Sequence, residues 1–271
     1  MTPHTKRLIA ALHLPALPGS PGWHQAGCPP LAQLAVQACA EARAFASAGF
    51  EELIIENFGD APFYPERVPP ETIAAMTFIG REVAVSADLT LSVNVLRNDA
   101  RAALAIATAL GASAIRVNVL SGLTATDQGL LSGCAHELLR DRARLSGGRP
   151  LAILADVHVK HGRCLDQPNL ALATTDLVER AGADAIIVSG SATGHAPSSE
   201  QLEAARAAIQ GSSKPDTPLL IGSGLCSANA RELWPRADGA IIASAALRGG
   251  RAGAPVDPQR ARALLRELRS L

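Results

Sequence analysis

Residues 154–162 read Leu-Ala-Asp-Val-His-Val-Lys-His-Gly, so Asp156, His158 and Lys160 sit at alternate positions directly after the apolar run Leu151-Ala152-Ile153-Leu154. On a β-strand, side chains two apart share a face and stand about 6–7 Å from one to the next. Three chemically capable groups would then form one row, either on a solvent face or in a site. A carboxylate opposite an imidazole or an ammonium can act as base while its partner acts as acid, once burial brings their pKa values toward neutrality. Lys160 is one of only three lysines in a chain that otherwise uses arginine. It can neutralise a phosphate or an enolate, or form a Schiff base if desolvated.

These groups need elements to position them, and the hydrophobic pattern supplies a regular set. Runs rich in Ile, Val and Leu recur at 8–14, 52–58, 90–96, 114–120, 151–160, 185–190, 218–223 and 239–244. Between them, Ala-rich stretches with helical spacing fall near 31–48, 70–86, 99–110, 135–146, 170–181, 198–210, 227–234 and 258–270. Strand alternating with helix implies parallel sheet, and eight repeats imply an α/β fold of the single-domain (β/α)8 TIM-barrel type. The domain is expected to span 1–271, with the barrel from about residue 8 to 270. Gly49, Gly111 and Gly182 each stand where a helix should end before the next strand begins. A doubly wound open sheet is the alternative. It would need a Gly-rich phosphate loop after the first strand, and His13-Leu14-Pro15-Ala16-Leu17-Pro18-Gly19 is no GxGxxG.

In a barrel, polar residues near the C-terminal ends of the strands mark the site. The first five strands would contribute His13, then Glu56, then Ser92 and Asn94, then Arg116 and Asn118, then Asp156, His158 and Lys160. Glu56, Asp156, His158 and Lys160 are the catalytic candidates. Asn94 and Asn118 suit recognition of sugar hydroxyls because an amide both donates and accepts. Arg116 either contacts substrate or lies one layer deeper, paired with Glu56 or Asp156. A single inward Asn or His could be a satisfied core group, but unpaired buried charges are costly, which favours a site.

The last three strands end differently, in Ser189-Gly190-Ser191-Ala192-Thr193-Gly194, Gly222-Ser223-Gly224 and Ala243-Ser244. Small residues let the backbone approach a ligand, and N–H groups beyond strands 7 and 8 are the recurrent phosphate site of this fold. Gly190, Thr193, Gly194, Gly222, Ser223, Gly224 and Ser244 are therefore the phosphate-binding candidates; otherwise these glycines serve turns.

The 271 residues carry a formal net charge of +0 and no charge block, which argues against a nucleic-acid partner. Cys28, Cys39, Cys134, Cys164 and Cys226 are odd in number and scattered. That pattern fits a reducing cytoplasm rather than a disulfide framework or a structural zinc site. Two basic residues precede the apolar start, but His13 and Pro15 interrupt it, against a signal peptide. No run of 18 apolar residues predicts a transmembrane helix. No metal motif such as HExxH occurs. A mixed set of Asp156 and His158 with Glu56 or His13 could still ligate a divalent ion such as Mg or Mn.

The stretches HLPALPGSPG, IIENFGDAPFY, IRVNVLSG, TDQGLLSG, ADVHVKHG, VSGSATG and LLIGSGL resemble the BtpA/SgcQ family from His13 to about Leu268, with ENFGD and ADVxVKH the most specific parts. The resemblance implies a ribulose-phosphate-binding type of TIM barrel. It also implies two functional contexts, photosystem I biogenesis and sugar-catabolism operons without a settled reaction. The segment from TGHAPSSEQ to IIASAAL is similar to the phosphate-binding half of tryptophan synthase α subunits. In that comparison Glu56 and the substrate-binding candidate Asp60 take comparable places.

Two readings follow. One is an enzyme, a lyase, isomerase or hydrolase acting by acid/base chemistry on a small phosphorylated sugar or nucleotide-derived metabolite. The other is a non-catalytic peripheral assembly factor. A homo-oligomer is expected, with the loops 15–30 and 121–135 as lids or subunit contacts.

Overall fold

The computed structural model describes residues 6–145, 147–149, 151–167 and 169–271. The first five residues and Ser146, the last residue of the expected 135–146 helix, lie outside them. Eight parallel strands close into a barrel: β1 (Arg7–His13), β2 (Glu52–Glu56), β3 (Thr90–Asn94), β4 (Ala114–Val117), β7 (Ala152–Val157), β9 (Ala185–Val188), β10 (Leu219–Ile221) and β11 (Gly239–Ile242), with β11 pairing back onto β1. Three short strands, β5 (Leu123–Thr126), β6 (Gly129–Ser132) and β8 (Gly162–Cys164), form a separate antiparallel sheet in the order β6-β5-β8. The helices are α1 (Pro21–Gln25), α2 (Leu31–Ala48), α3 (Pro70–Ser86), α4 (Ala100–Leu110), α5 (Ala135–Leu145), α6 (Leu170–Glu179), α7 (Ser199–Gln210), α8 (Ala230–Leu233) and α9 (Pro258–Ser270). The chain is thus a (β/α)8 TIM barrel.

Alternation of side chains decides which residues reach the axis. Ile9 and Ala11 on β1, Ile54 on β2, Ala114 on β4, Leu154 on β7, Ile187 on β9, Leu220 on β10 and Ile241 on β11 form one buried interior cluster. The intervening residues, such as Leu12, Ile55, Val93, Ile115 and Ile153, join the larger core under the helices. Two residues beyond the interior plug, the same inward parity carries His13, Glu56, Asn94, Arg116 and Asp156. In register, His13 lies opposite Glu56, Glu56 opposite Asn94, and Asn94 opposite Arg116. The apolar plug therefore ends in a charged layer at the C-terminal mouth.

The helices stop and start where local chemistry says they should. Gly49 and Gly111 cap α2 and α4 in the left-handed conformation (φ 104° and 68°). Asp99 caps α4 through the Ala102 N–H, and Ser198 with Gln201 forms a capping box on α7.

Three expectations need correction. The 151–160 strand ends at Val157, because His158 adopts φ +50° and breaks the extended path. The 227–234 helix is only α8 followed by a 3-10 turn at Trp234–Arg236. The Asn229 side chain ties the Cys226 N–H and the Gly224 carbonyl into a preceding turn. The 121–135 loop is the β5–β6 hairpin, onto which β8 adds a third strand. No helix among the described residues is long and apolar enough to cross a membrane.

Candidate active site

Arg116 is the hub of the charged layer. Its Nε and Nη2 donate to the two oxygens of Asp156 at 3.0 and 2.9 Å, a fork-to-fork pair. Its Nη1 donates to Glu56 Oε1 at 3.2 Å, and the Asn94 amide donates to the same oxygen at 2.9 Å. The Asn118 amide completes the set by donating to Asp156 Oδ2 at 2.6 Å. All five side chains are buried. Burial alone would push the Glu56 carboxyl up, but Arg116, His13, Lys160 and the Asn94 amide outweigh it and hold it below its ordinary value. Burial would likewise lower Arg116, and its two carboxylate neighbours raise it further above its already high value.

His13 closes the other side of Glu56. The Gly253 N–H donates to His13 Nδ1 at 3.2 Å, so the neutral ring carries its proton on Nε2, which lies 3.7 Å from Glu56 Oε2. Phe58 stacks on the ring at 4.2 Å between centroids. Burial pushes the imidazole below its ordinary range, Lys160 and Arg116 act in the same sense, and Glu56 opposes them.

Within the ENFGD stretch Glu56 and Phe58 face the cavity, whereas Asn57, Gly59 and Asp60 brace this wall from behind. Asp60 Oδ1 accepts from the Leu17 N–H at 2.7 Å, and its Oδ2 accepts from the Asn57 amide at 3.1 Å. Asn57 Oδ1 in turn accepts from the Leu96 N–H at 2.7 Å. Gly59 packs so closely on the 15–16 backbone that a Cβ there would lie 2.2 Å from the Ala16 nitrogen. The motif clamps the loops after β1 and β3 to the strand that bears Glu56.

Above the network lies a cavity of about 250 Å³, whose lining includes Glu56, Asn94, Arg97, Arg116, Asn118 and Lys160. It adjoins a narrower cleft lined by His13, Thr193, Gly194, Gly222, Gly224 and Ser244, which also touches Ser223. Glu56, Arg116, Lys160 and Thr193 border both spaces. Lys160 is half-buried. Burial and Arg116 lower its pKa, Glu56 and Asp156 pull the other way, and Arg97 adds to the lowering. Gly224 sits at φ +73°, where a Cβ would meet the Ala196 nitrogen at 2.2 Å. Gly190 turns instead against the carbonyls of His195 and Ala196, and Ser223 Oγ donates to the His195 carbonyl at 2.7 Å, so both residues hold the 190–198 loop against β10.

The supposed row of Asp156, His158 and Lys160 does not form. The left-handed turn at His158 swings its ring outward, where Nε2 meets the Gln167 carbonyl at 2.8 Å. It borders a separate groove of about 710 Å³ between α5 and α6, beside His136, Arg140 and Arg180. Asp156 has both oxygens engaged by Arg116 and lies behind it rather than on the cavity wall. The metal set of Asp156, His158 and Glu56 or His13 is therefore not assembled. Among the described residues no three His, Cys, Asp or Glu side chains converge in a metal-holding group.

Arg97 on the cavity wall escaped sequence reading, as did Phe58 and Gln128. A basic residue just past the end of β3 was a signal available in the sequence, because that is where this fold puts its functional groups.

A sequence model of the BtpA family matches residues 4–270. The chain belongs to the BtpA family. Among BtpA-family relatives, the photosystem I biogenesis protein BtpA of Synechocystis is 46% identical over 258 residues, covering 95% of this chain and 86% of its own. An uncharacterized protein of Pyrococcus horikoshii is 40% identical over 268 residues, covering 99% and 98%. Among solved structures, N-(5'-phosphoribosyl)anthranilate isomerase from Pyrococcus furiosus superposes with a TM-score of 0.59 at 10% identity, covering 98% of this chain and 100% of that one. At that identity the likeness shows that this chain shares the barrel fold, and nothing about chemistry.

Proposed function

We propose that this BtpA-family barrel is an enzyme, acting on a small phosphorylated sugar or nucleotide-derived metabolite by acid/base chemistry at the C-terminal mouth. One observation carries the reading: Glu56, Arg116, Lys160 and Thr193 border both the polar cavity and the glycine-lined cleft. A substrate phosphate in the cleft therefore brings its carbon skeleton against Glu56. Glu56 Oε1 is occupied by Arg116 and Asn94, which leaves Oε2 to take a proton from carbon next to a carbonyl or from a hydroxyl. Lys160 supplies positive charge for the oxyanion that results. Asp156 acts through Arg116, holding the guanidinium that keeps Glu56 ionised. Isomerases and lyases of this kind need these roles, and a hydrolase could use the same base on water.

The cleft is about 20 Å³ as it stands, room for one small polar group. Seating a phosphoryl group thus requires the 191–195 turn to move outward. That turn is held by His161, whose backbone N–H donates to the Ser191 carbonyl at 3.0 Å and whose Nε2 lies 2.9 Å from the Thr193 hydroxyl, by the Ser223 bond to the His195 carbonyl, and by a weak Ser191–His195 contact.

The test is a thermal-shift screen against phosphate, sugar phosphates and nucleoside monophosphates, with and without Mg²⁺ or Mn²⁺. Free ligand at 100 times its Kd adds about 2.7 kcal/mol. Gly222→Asp would clash with Ser189 and Ile187; at Gly194 an added Cβ meets only Ser244 Oγ at 3.7 Å, and although φ there is +80°, Asp is among the non-glycine residues that tolerate the left-handed region best, at a cost of about 1–2 kcal/mol. Gly194→Asp should weaken binding of any phosphorylated hit at least tenfold, with its melting temperature lowered by only a few degrees from the positive φ at this position. Unchanged binding removes the cradle from this account.

The assembly-factor reading is favoured by one observation, the name carried by the Synechocystis relative. It requires no intact pocket, and the Glu56 variant argued below separates the two.

A further inference from the structure

Arg97 is 4% exposed and makes no ion pair within 4 Å among the described residues. Its Nη2 donates to the Lys160 carbonyl, and its Nε has no partner among the described residues. Burial outweighs Asp156 and Asp127, which act on Arg97 only from beyond contact; a buried guanidinium without a contacting counter-charge is costly and is retained where something else supplies the anion. The other side chains of the cavity do not supply it. Arg116 is matched by Glu56 and Asp156, Lys160 adds a further positive charge, and Asp127 is exposed on the hairpin turn. Two more cavity groups are incomplete in the opposite sense. Asn118 Oδ1 and Gln128 Oε1 are buried acceptors without donors. The unmet needs of the cavity are thus one acceptor-seeking cation and two donor-seeking oxygens.

We propose that this cavity binds a second anionic group of the substrate at Arg97, with substrate hydroxyls donating to Asn118 and Gln128. Resting on the phosphate reading above, this makes the substrate class a polyhydroxylated acid phosphorylated at its far end. Arg97 borders only the larger space, and Gly194, Gly224 and Ser244 border only the cleft, with Glu56 and Lys160 between them. The two anions of one extended molecule would then lie on either side of the base. A carboxylate on a guanidinium also fixes orientation through paired hydrogen bonds, which a neutral alcohol cannot match.

The matched probes are 6-phosphogluconate and sorbitol 6-phosphate, open chains that differ at one end by carboxylate against alcohol, with gluconate and inorganic phosphate as the two halves. Isothermal titration of the wild-type protein should show 6-phosphogluconate binding at least tenfold tighter than sorbitol 6-phosphate. Arg97→Met should bring the two within about twofold, leave sorbitol 6-phosphate unchanged, and not lower the melting temperature, because an unpaired buried cation has been removed. Equal binding of the two probes to wild-type protein overturns the proposal, and this arm stands even if the variant fails to fold. Equal weakening of both probes by Arg97→Met also overturns it, by making the residue structural. If gluconate binds through Arg97 but a phosphate adds nothing, the acid subsite stands and the phosphate cradle falls. If phosphate and sorbitol 6-phosphate bind and the carboxylate adds nothing, the cradle stands and this inference falls.

Discussion

Arg116→Met lowers stability by about 3–5 kcal/mol at pH 7, because it leaves Glu56 and Asp156 as buried carboxylates without their shared cation. Methionine fills much of the space, so the loss reports charge more than volume. The pH dependence separates the two. In the wild-type protein the Glu56 pKa is depressed. Its contribution is therefore present above the ordinary carboxylate pKa of about 4.3 and is lost as pH falls toward the folded value. In the variant, burial acts without Arg116 and pushes Glu56 up, so acidification relieves the strain instead of adding to it. The two stability curves should converge between pH 7 and pH 4 in urea unfolding followed by circular dichroism. Arg116→Lys should recover only part of the loss, since an ammonium cannot fork onto Asp156 while reaching Glu56. A penalty below 1 kcal/mol, or one equal at both pH values, would mean that the network is not held by charge.

The barrel was legible because its signal is additive. Eight apolar runs and the helices between them each repeat one period, and errors at the ends of single elements do not change the topology. The charged layer was legible for the same reason. Glu56, Asn94, Arg116 and Asp156 fall on the inward parity of their strands, and parity survives an uncertain boundary. What failed lay where backbone geometry leaves the repeat. His158 and Lys160 were assigned to the row by extending β7 three residues too far, and nothing in Val-His-Val-Lys announces a positive φ at a histidine. The β5–β6 hairpin had a signal, Thr126-Asp127-Gln128-Gly129 between two short runs, but polar residues such as Thr124 and Ser132 made those runs read as loop. Asp60 shows the remaining gap. An acidic residue just past a barrel strand can equally be a ligand contact or a brace, and only its bonds to Leu17 and Asn57 distinguish them.

Glu56→Gln is the variant with the largest expected effect on function. The glutamine is isosteric, and its oxygen can still accept from Arg116 Nη1 and the Asn94 amide, so the folded network persists with one charge fewer. Its new amide faces the His13 Nε2–H, two donors about 3.7 Å apart, which costs little at that separation. Binding of a phosphorylated ligand found by the screen should change less than threefold, because the cleft donors are untouched. Turnover should fall by about 10²–10⁴-fold, the range a positioned general base supplies. The wild-type pH profile follows from the same groups. With Glu56 held low and Lys160 lowered by burial and Arg116, kcat/KM rises on an acid limb below the ordinary glutamate value. It falls on an alkaline limb below the ordinary lysine value. In the variant the acid limb disappears. Cells lacking the gene and carrying Glu56→Gln should then remain deficient although the protein accumulates normally. Full rescue by a stable Glu56→Gln protein would reverse the assignment: a scaffold needs the surface of the barrel, whereas an enzyme needs this one carboxylate.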